Sequence, residues 1–141
     1  MSSLQNATDG EIVARLRRAG LRPTRQRVSL ARLLFGRGDR HVTAEQLHEE
    51  AVFASVPVSL ATIYNTLHQF TEVGLLRELT VSGAKTHFDT NLSNHYHYVL
   101  ESDGRIEDIP AGDVQVLGLP EPPRGMRISR IDVIVRLAAE E

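Results

Sequence analysis

The chain has 141 residues, 41% of them hydrophobic and 24% charged, with a formal net charge of −2, as expected for one globular domain or two small ones around a buried core. It contains no cysteine, which excludes disulfides, thiolate zinc knuckles, cysteine nucleophiles and thiol redox switching, so any metal must be held by His, Asp or Glu. No apolar run approaches the roughly 18 residues of a membrane span, and the N-terminal "MSSLQNATDG" has no signal-peptide core, so the expected location is the cytoplasm.

Charge is unevenly spread. Residues 1–40 hold nine Arg against Asp9, Glu11 and Asp39, a net of +6, whereas residues 88–141 hold five Arg against ten Asp and Glu, a net of −5. A basic head on an acidic body points to a polyanion partner for the head. A solvated arginine-rich helix face is the competing explanation.

The first element is a helix in "TDGEIVARLRRAG" (8–20), with Ile12, Val13, Leu16 and Ala19 at helical spacing, Thr8 or Asp9 as cap and Gly20 as its stop. "RPTRQRVSLARLLF" (22–35) starts a second helix, capped by Thr24 and apolar through Val28, Leu30, Ala31, Leu33 and Leu34. "HVTAEQLHEEAVF" (41–53) starts a third, with Thr43 and Gln46 in capping-box register. The clearest helix lies in "PVSLATIYNTLHQFTEVGLL" (57–76): Ser59 caps it, Leu60, Ile63, Leu67 and Phe70 form an inward stripe, and Gly74 ends it. "LLRELTV" and "AKTHFDT", separated around Ser82–Gly83, then read as a β-hairpin.

Short helices followed by a hairpin are the order of a winged helix-turn-helix. In that fold the outward face of helix 57–73 enters the major groove, and here it carries Ser59, Ala61, Thr62, Tyr64, Asn65 and His68, small or hydrogen-bonding side chains able to read bases. Only Glu72, Arg77 and Glu78 are charged within residues 51–80, fewer than a merely solvated helix usually shows. Packing within a helix bundle is the structural alternative.

Beyond residue 95 the period changes. "HYHYVLES" and "RIEDIP" flank the turn signal Asp103–Gly104. A Pro/Gly-rich connection (118–125) leads to "MRISRIDVIVRLAAE", where Met126, Ile128, Val133 and Val135 fit a partly alternating strand. With "GDVQVLGL" between them, these make a small α/β unit whose core is too small to stand alone, so dimerisation through it is expected. The fold class is therefore α+β, with a winged-helix domain over 1–88 and an α/β dimerisation and ligand-sensing domain over 89–141.

The chemistry concentrates in "HFDTNLSNHYHY" (87–98). On a strand, residues i and i+2 share a face about 6.5–7 Å apart, so His95 and His97 can converge on one ion. Asp89 precedes them by six residues at the end of the wing, and Asp108 follows on the partner strand of the hairpin. His41 would come from the head domain. Nitrogen and oxygen donors of this kind suit Fe²⁺, Mn²⁺, Co²⁺ or Zn²⁺. The sequence shows no Ser-His-Asp elbow, no Gly-rich phosphate loop and no HExxH, so a hydrolase is not indicated. A metalloenzyme and a structural dimer with incidental histidines are the rivals from other classes.

In order and over nearly the whole chain, "GLRPTRQRVSLARLLF", "HVTAEQLHEEA", "PVSLATIYNTLHQFTEVGLL" and "HFDTNLSNHYHYVLESDGRIEDI" resemble the ferric uptake regulator superfamily of dimeric bacterial repressors. That resemblance implies a regulatory metal at His41, Asp89, His95, His97 and Asp108, in the pattern of the peroxide-sensing branch. It also implies DNA contacts at Arg22, near the minor groove, and at Tyr64, on the bases; Asn65, at a neighbouring position where many iron-sensing members have Arg, joins Ser59 and Thr62 as DNA-binding candidates from the outward helix face. The structural zinc that the family commonly holds in two CxxC pairs is absent from a chain without cysteine. "LRPTRQR", "LLFGRGDRHVTAEQL", "VPVSLATIYNTL" and "FDTN" further resemble the iron response regulator branch of alphaproteobacteria. This implies a homodimer that acts on AT-rich inverted-repeat operators of iron and haem genes when iron is scarce, and that responds to haem. His95 and His97 are then the candidate haem ligands, but they project in parallel from one strand face, so a single haem takes only one of them. Within the superfamily, the alternative is a repressor activated by Mn²⁺ or Fe²⁺, or sensing peroxide.

Overall fold

The computed structural model describes residues 8–81 and 85–140, and among them every α-helix starts behind a hydroxyl cap. Thr8, Thr24, Thr43 and Ser59 stand in extended conformation and accept the backbone N–H three residues on, from Glu11, Arg27, Gln46 and Thr62. Each such cap satisfies an amide the helix cannot, worth about 1 kcal/mol. The helices that follow are α1 (Asp9–Arg18), α2 (Arg25–Phe35), α3 (Ala44–Phe53) and α4 (Leu60–Glu72). Gly20 and Gly74 adopt positive φ of 87° and 81° just past α1 and α4, the left-handed stop that an L side chain resists.

Two compact units divide the described residues, 8–80 with 85–92 in one and 81 with 93–140 in the other. In the first, β1 (His41–Val42), β2 (Arg77–Leu79) and β3 (His87–Asp89) form an antiparallel sheet of order β1-β3-β2. Ile12, Leu16, Leu30, Leu34, Leu47, Ile63, Leu67, Phe70 and Phe88 close the core at no more than 1% exposure. The expected stripe on α4 holds from Ile63 onward, while Leu60 is only partly buried against that core. This is a winged-helix domain, and the turn expected at Ser82–Gly83 lies outside the described residues.

The third helix starts at Ala44, directly behind the Thr43 cap that the capping-box register marks; what the sequence does not mark is the strand before it. His41 and Val42 are a short strand beside β3, with His41 opposite Asp89 and Val42 opposite Phe88. The reason lies in Thr43, whose extended backbone and reciprocal bond with Gln46 fix the helix start at Ala44. The two residues upstream of that cap then pair as a strand.

In the second unit, β4 (His95–Leu100) is central, antiparallel to β5 (Ile106–Pro110) on one side and parallel to β6 (Ile134–Leu137) on the other. The Asp103–Gly104 signal does reverse the chain, through Gly104 at φ 73° and a bond from the Arg105 amide to Asp103 Oδ1 of 2.9 Å. The late strand differs from expectation. It starts at Ile134, and the alternating stretch before it makes no ladder, with Met126 68% and Ile128 48% exposed. Ala111–Asp113 forms one 3₁₀ turn, and residues 114–133 hold no regular helix or strand. Alternation can mark a strand only where a neighbour is available to pair with it. Among the described residues the three-stranded sheet, of order β5-β4-β6, takes only Ile134–Leu137 of this stretch as a strand. Among the described residues, no helix is long and apolar enough to cross a membrane.

Candidate metal centre and nucleic-acid face

β4 alternates buried and half-buried along its length, and His95, His97 and Val99 occupy its buried face. The period of two puts both imidazoles side by side, 4.6 Å between ring centroids and 68° between planes. Directly across the ladder from His97 stands Asp108. Its Oδ1 lies 3.5 Å from His97 Nε2 and 3.7 Å from His95 Nε2. One ligand atom from each of the three lies within 4.8 Å of the others. Register alone therefore assembles two nitrogens and a carboxylate oxygen around one point.

The orientation of His95 is set from behind. Its Nδ1 lies 2.7 Å from the Ser93 carbonyl oxygen, which can only accept, so Nδ1 carries a proton and Nε2 is the nitrogen turned toward Asp108. Metal-ligating histidines are commonly anchored in this way, through the other ring nitrogen. Borderline and hard divalent ions such as Mn²⁺, Fe²⁺ and Zn²⁺ match a donor set of two imidazoles and a carboxylate. The residues present fit such an ion.

The two remaining predicted ligands lie in the first unit. His41 on β1 and Asp89 on β3 are register partners; Asp89 is 1% exposed and its Oδ1 accepts the Asn91 amide at 2.9 Å. His87, which the motif reading did not single out, packs edge-on against His41 at 5.8 Å. Its Nδ1 donates to the Lys85 carbonyl at 2.8 Å. Its position two residues before Asp89, on the same strand face, was the available signal.

The predicted reading face sits on α4. Tyr64, Asn65, Ala61 and His68 are exposed, and the phenol of Tyr64 stacks near the His68 ring, 6.5 Å between centroids and 20° between planes. Ser59 and Thr62 are more occupied than the sequence implies. Ser59 Oγ accepts the Thr62 amide at 3.1 Å and donates to Thr62 Oγ1 at 3.0 Å, so the cap engages both hydroxyls. The Tyr64 hydroxyl donates to Glu45 Oε2 at 3.0 Å, an interaction no sequence signal marks because it depends on how α3 packs against α4.

Arginine charge is likewise redistributed. Arg32 makes a bidentate pair with Asp9, and Arg40 one with Glu50, which Arg37 also approaches at 3.7 Å. Arg17, Arg18, Arg22 and Arg25 are exposed. Arg22 also lends its carbonyl to Arg27 Nη1 at 2.8 Å, which fixes the turn into α2.

A sequence model of the ferric uptake regulator family matches residues 18–134 of the chain. The peroxide-responsive repressor PerR of Staphylococcus epidermidis is 39% identical over 98 residues, and that of Staphylococcus aureus strain Mu50 is 40% identical over 99. These stretches cover 70% of this chain, which spans 65% and 66% of the length of those relatives. Among solved structures, the ferric uptake regulator of Pseudomonas aeruginosa with manganese has a TM-score of 0.73 at 24% identity, over 92% of this chain and 98% of that one.

Proposed function

Because the chain belongs to the ferric uptake regulator family, we propose that it is a homodimeric transcriptional repressor whose hold on operator DNA is set by a divalent metal ion. Members of this family are transcriptional regulators and not enzymes. The observation that carries the reading is the convergence of His95, His97 and Asp108 in a chain that also offers an uncharged, exposed α4 face. Asp89 joins the ligand set on its spacing from His95 and His97, and His41 on the family resemblance. Bound there, a divalent ion would supply the positive charge that draws neutral imidazoles and carboxylates into one arrangement.

The chain's own residues do the remaining work. Ser93 holds His95 in its ligating tautomer, while Arg17, Arg18, Arg22 and Arg25 supply phosphate attraction that does not depend on base sequence. Tyr64, Asn65 and their neighbours on α4 read base edges in an AT-rich inverted repeat. Ligand state then shifts the population of dimers competent for DNA. The resemblance to peroxide-responsive repressors at 39% and 40% identity favours the metal-activated form and adds a response to peroxide.

A second reading is kept by one observation, the complete absence of cysteine together with "FDTN" at 88–91, the pattern of the iron response regulator branch. There the protein acts when iron is scarce and haem releases it from DNA. The two readings differ in sign. Metal-free protein is incubated with an AT-rich inverted repeat and with random duplex, then titrated with Mn²⁺ and separately with haem. Mn²⁺ raising affinity supports the first reading, and haem lowering it supports the second. No salt-sensitive preference under any of these conditions refutes both.

A further inference from the structure

We infer that Glu45 sets the hydrogen-bond polarity of Tyr64, so that Tyr64 presents the major groove with acceptors and no donor. This rests on the reading above that α4 enters the major groove. A tyrosine hydroxyl has one proton to donate and two lone pairs with which to accept. The structure already assigns that proton: Tyr64 Oη donates to Glu45 Oε2 at 3.0 Å.

Both partners are held in place. Glu45 is the second residue of α3, in a first turn fixed by the Thr43–Gln46 capping box, whose two bonds measure 2.9 and 3.1 Å. The Tyr64 ring lies nearly parallel to His68, and His68 in turn meets the fully buried Phe88 edge-on at 5.6 Å. The protonation states agree with the arrangement. A backbone hydrogen bond, then the Tyr64 bond and the Lys85 charge, hold the Glu45 carboxyl below its ordinary value against the opposing effect of burial. The bond to Glu45 raises Tyr64 above the usual tyrosine value. Near neutral pH, Glu45 is therefore an acceptor only, and Tyr64 keeps its proton and points it at Glu45.

The consequence is a base preference. Adenine N6 and cytosine N4 are amino donors in the major groove, whereas guanine N7 and O6 and thymine O4 are acceptors. A hydroxyl whose proton is committed can accept from adenine or cytosine and finds no complementary group on guanine. Displacing water as the groove closes strengthens the charge-assisted bond to Glu45, because the local dielectric falls. Glu45 is thus a positioning residue. It acts on sequence choice through Tyr64 without touching a base.

The test uses the full chain and a pool of duplexes carrying randomised half-sites as an inverted repeat, with and without Mn²⁺. The base position governed by Tyr64 is the one whose preference disappears in Tyr64→Phe. At that position wild type should reject guanine by about 5- to 150-fold, the usual range for one wrong base pair. Glu45→Ala and Glu45→Ser should cut the rejection to within about threefold, because the freed proton can be donated to guanine N7. Glu45→Gln, which retains an acceptor oxygen, should keep most of it. On a Tyr64→Phe background, Glu45→Ala should change nothing further. A readout without DNA is the absorbance titration of Tyr64, taken as the difference between wild type and Tyr64→Phe, whose midpoint should fall toward the ordinary tyrosine value in Glu45→Ala. Unaltered base preference in both truncations, or an unmoved Tyr64 titration, overturns the inference and leaves DNA reading intact. Wild type selecting no sequence at all overturns the DNA reading and the inference together.

Discussion

Replacing His97 with Ala removes one of the three donors that the β4–β5 ladder brings within 4.8 Å of one another. A ligand that binds only the folded protein stabilises it by RT ln(1 + [L]/Kd), about 2.7 kcal/mol when Mn²⁺ is at a hundred times its Kd. Even partners that merely orient a ligating group are worth about 10- to 100-fold in metal affinity. Losing His97 itself should therefore leave about 0.4 to 1.4 kcal/mol at the same Mn²⁺ concentration. For a chain of this size about 1 kcal/mol corresponds to roughly 3–4 °C. The Mn²⁺-induced rise in Tm should then drop from about 10 °C to about 1–5 °C. Differential scanning fluorimetry with and without Mn²⁺ reads this directly. Comparing the rise, not the absolute Tm, removes the cost of truncating a buried side chain. His48→Ala on α3, outside the proposed ligand set, serves as the control. A full Mn²⁺ shift in His97→Ala would refute the assignment of the β4–β5 cluster as a metal centre.

Three further outcomes follow from the same structure. Phe70→Ala should cost about 3–5 kcal/mol, because its ring is fully buried and stacked 6.4 Å from Phe35; urea unfolding would show it as an earlier midpoint. Thr43→Ala removes the acceptor for the Gln46 amide and half of the capping box, and should lower stability by about 1 kcal/mol with an unchanged denaturant slope. Arg17→Gln and Arg25→Gln, at exposed sites on the basic head, should each reduce the slope of log K against log salt by about 0.9 for every phosphate the arginine would have neutralised. Binding to operator and random duplex should weaken alike, and an effect confined to one sequence would count against a backbone role.

What the sequence disclosed, and what it withheld, divides along the range of the interaction. Caps are local, so Thr8, Thr24, Thr43 and Ser59 were legible from spacing, as was the hairpin that sets Asp108 opposite His97. Strand β1 was not, because two residues carry no periodicity and their pairing with β3 spans nearly fifty residues. The alternation around Met126 and Ile128 was a misleading signal, since alternation describes faces and says nothing about whether an edge is open. Clustering of His95, His97 and Asp108 could be anticipated because strand geometry is regular. Glu45 could not, because its bond with Tyr64 depends on a helix crossing that nineteen residues of separation do not specify. The arginine excess was legible as a sum, whereas the engagement of Arg32 and Arg40 by carboxylates was not.

One short run, His41–Glu45, carries a strand partner of Asp89, the cap of α3 and the acceptor of Tyr64 within five consecutive residues. Its length is therefore more constrained than its composition. An inserted residue before the cap would send His41 to the opposite face of the sheet, and one after it would turn Glu45 by about 100° around the helix axis. Relatives that use the same device should therefore vary in this run by exchange of side chains and almost never by insertion or deletion.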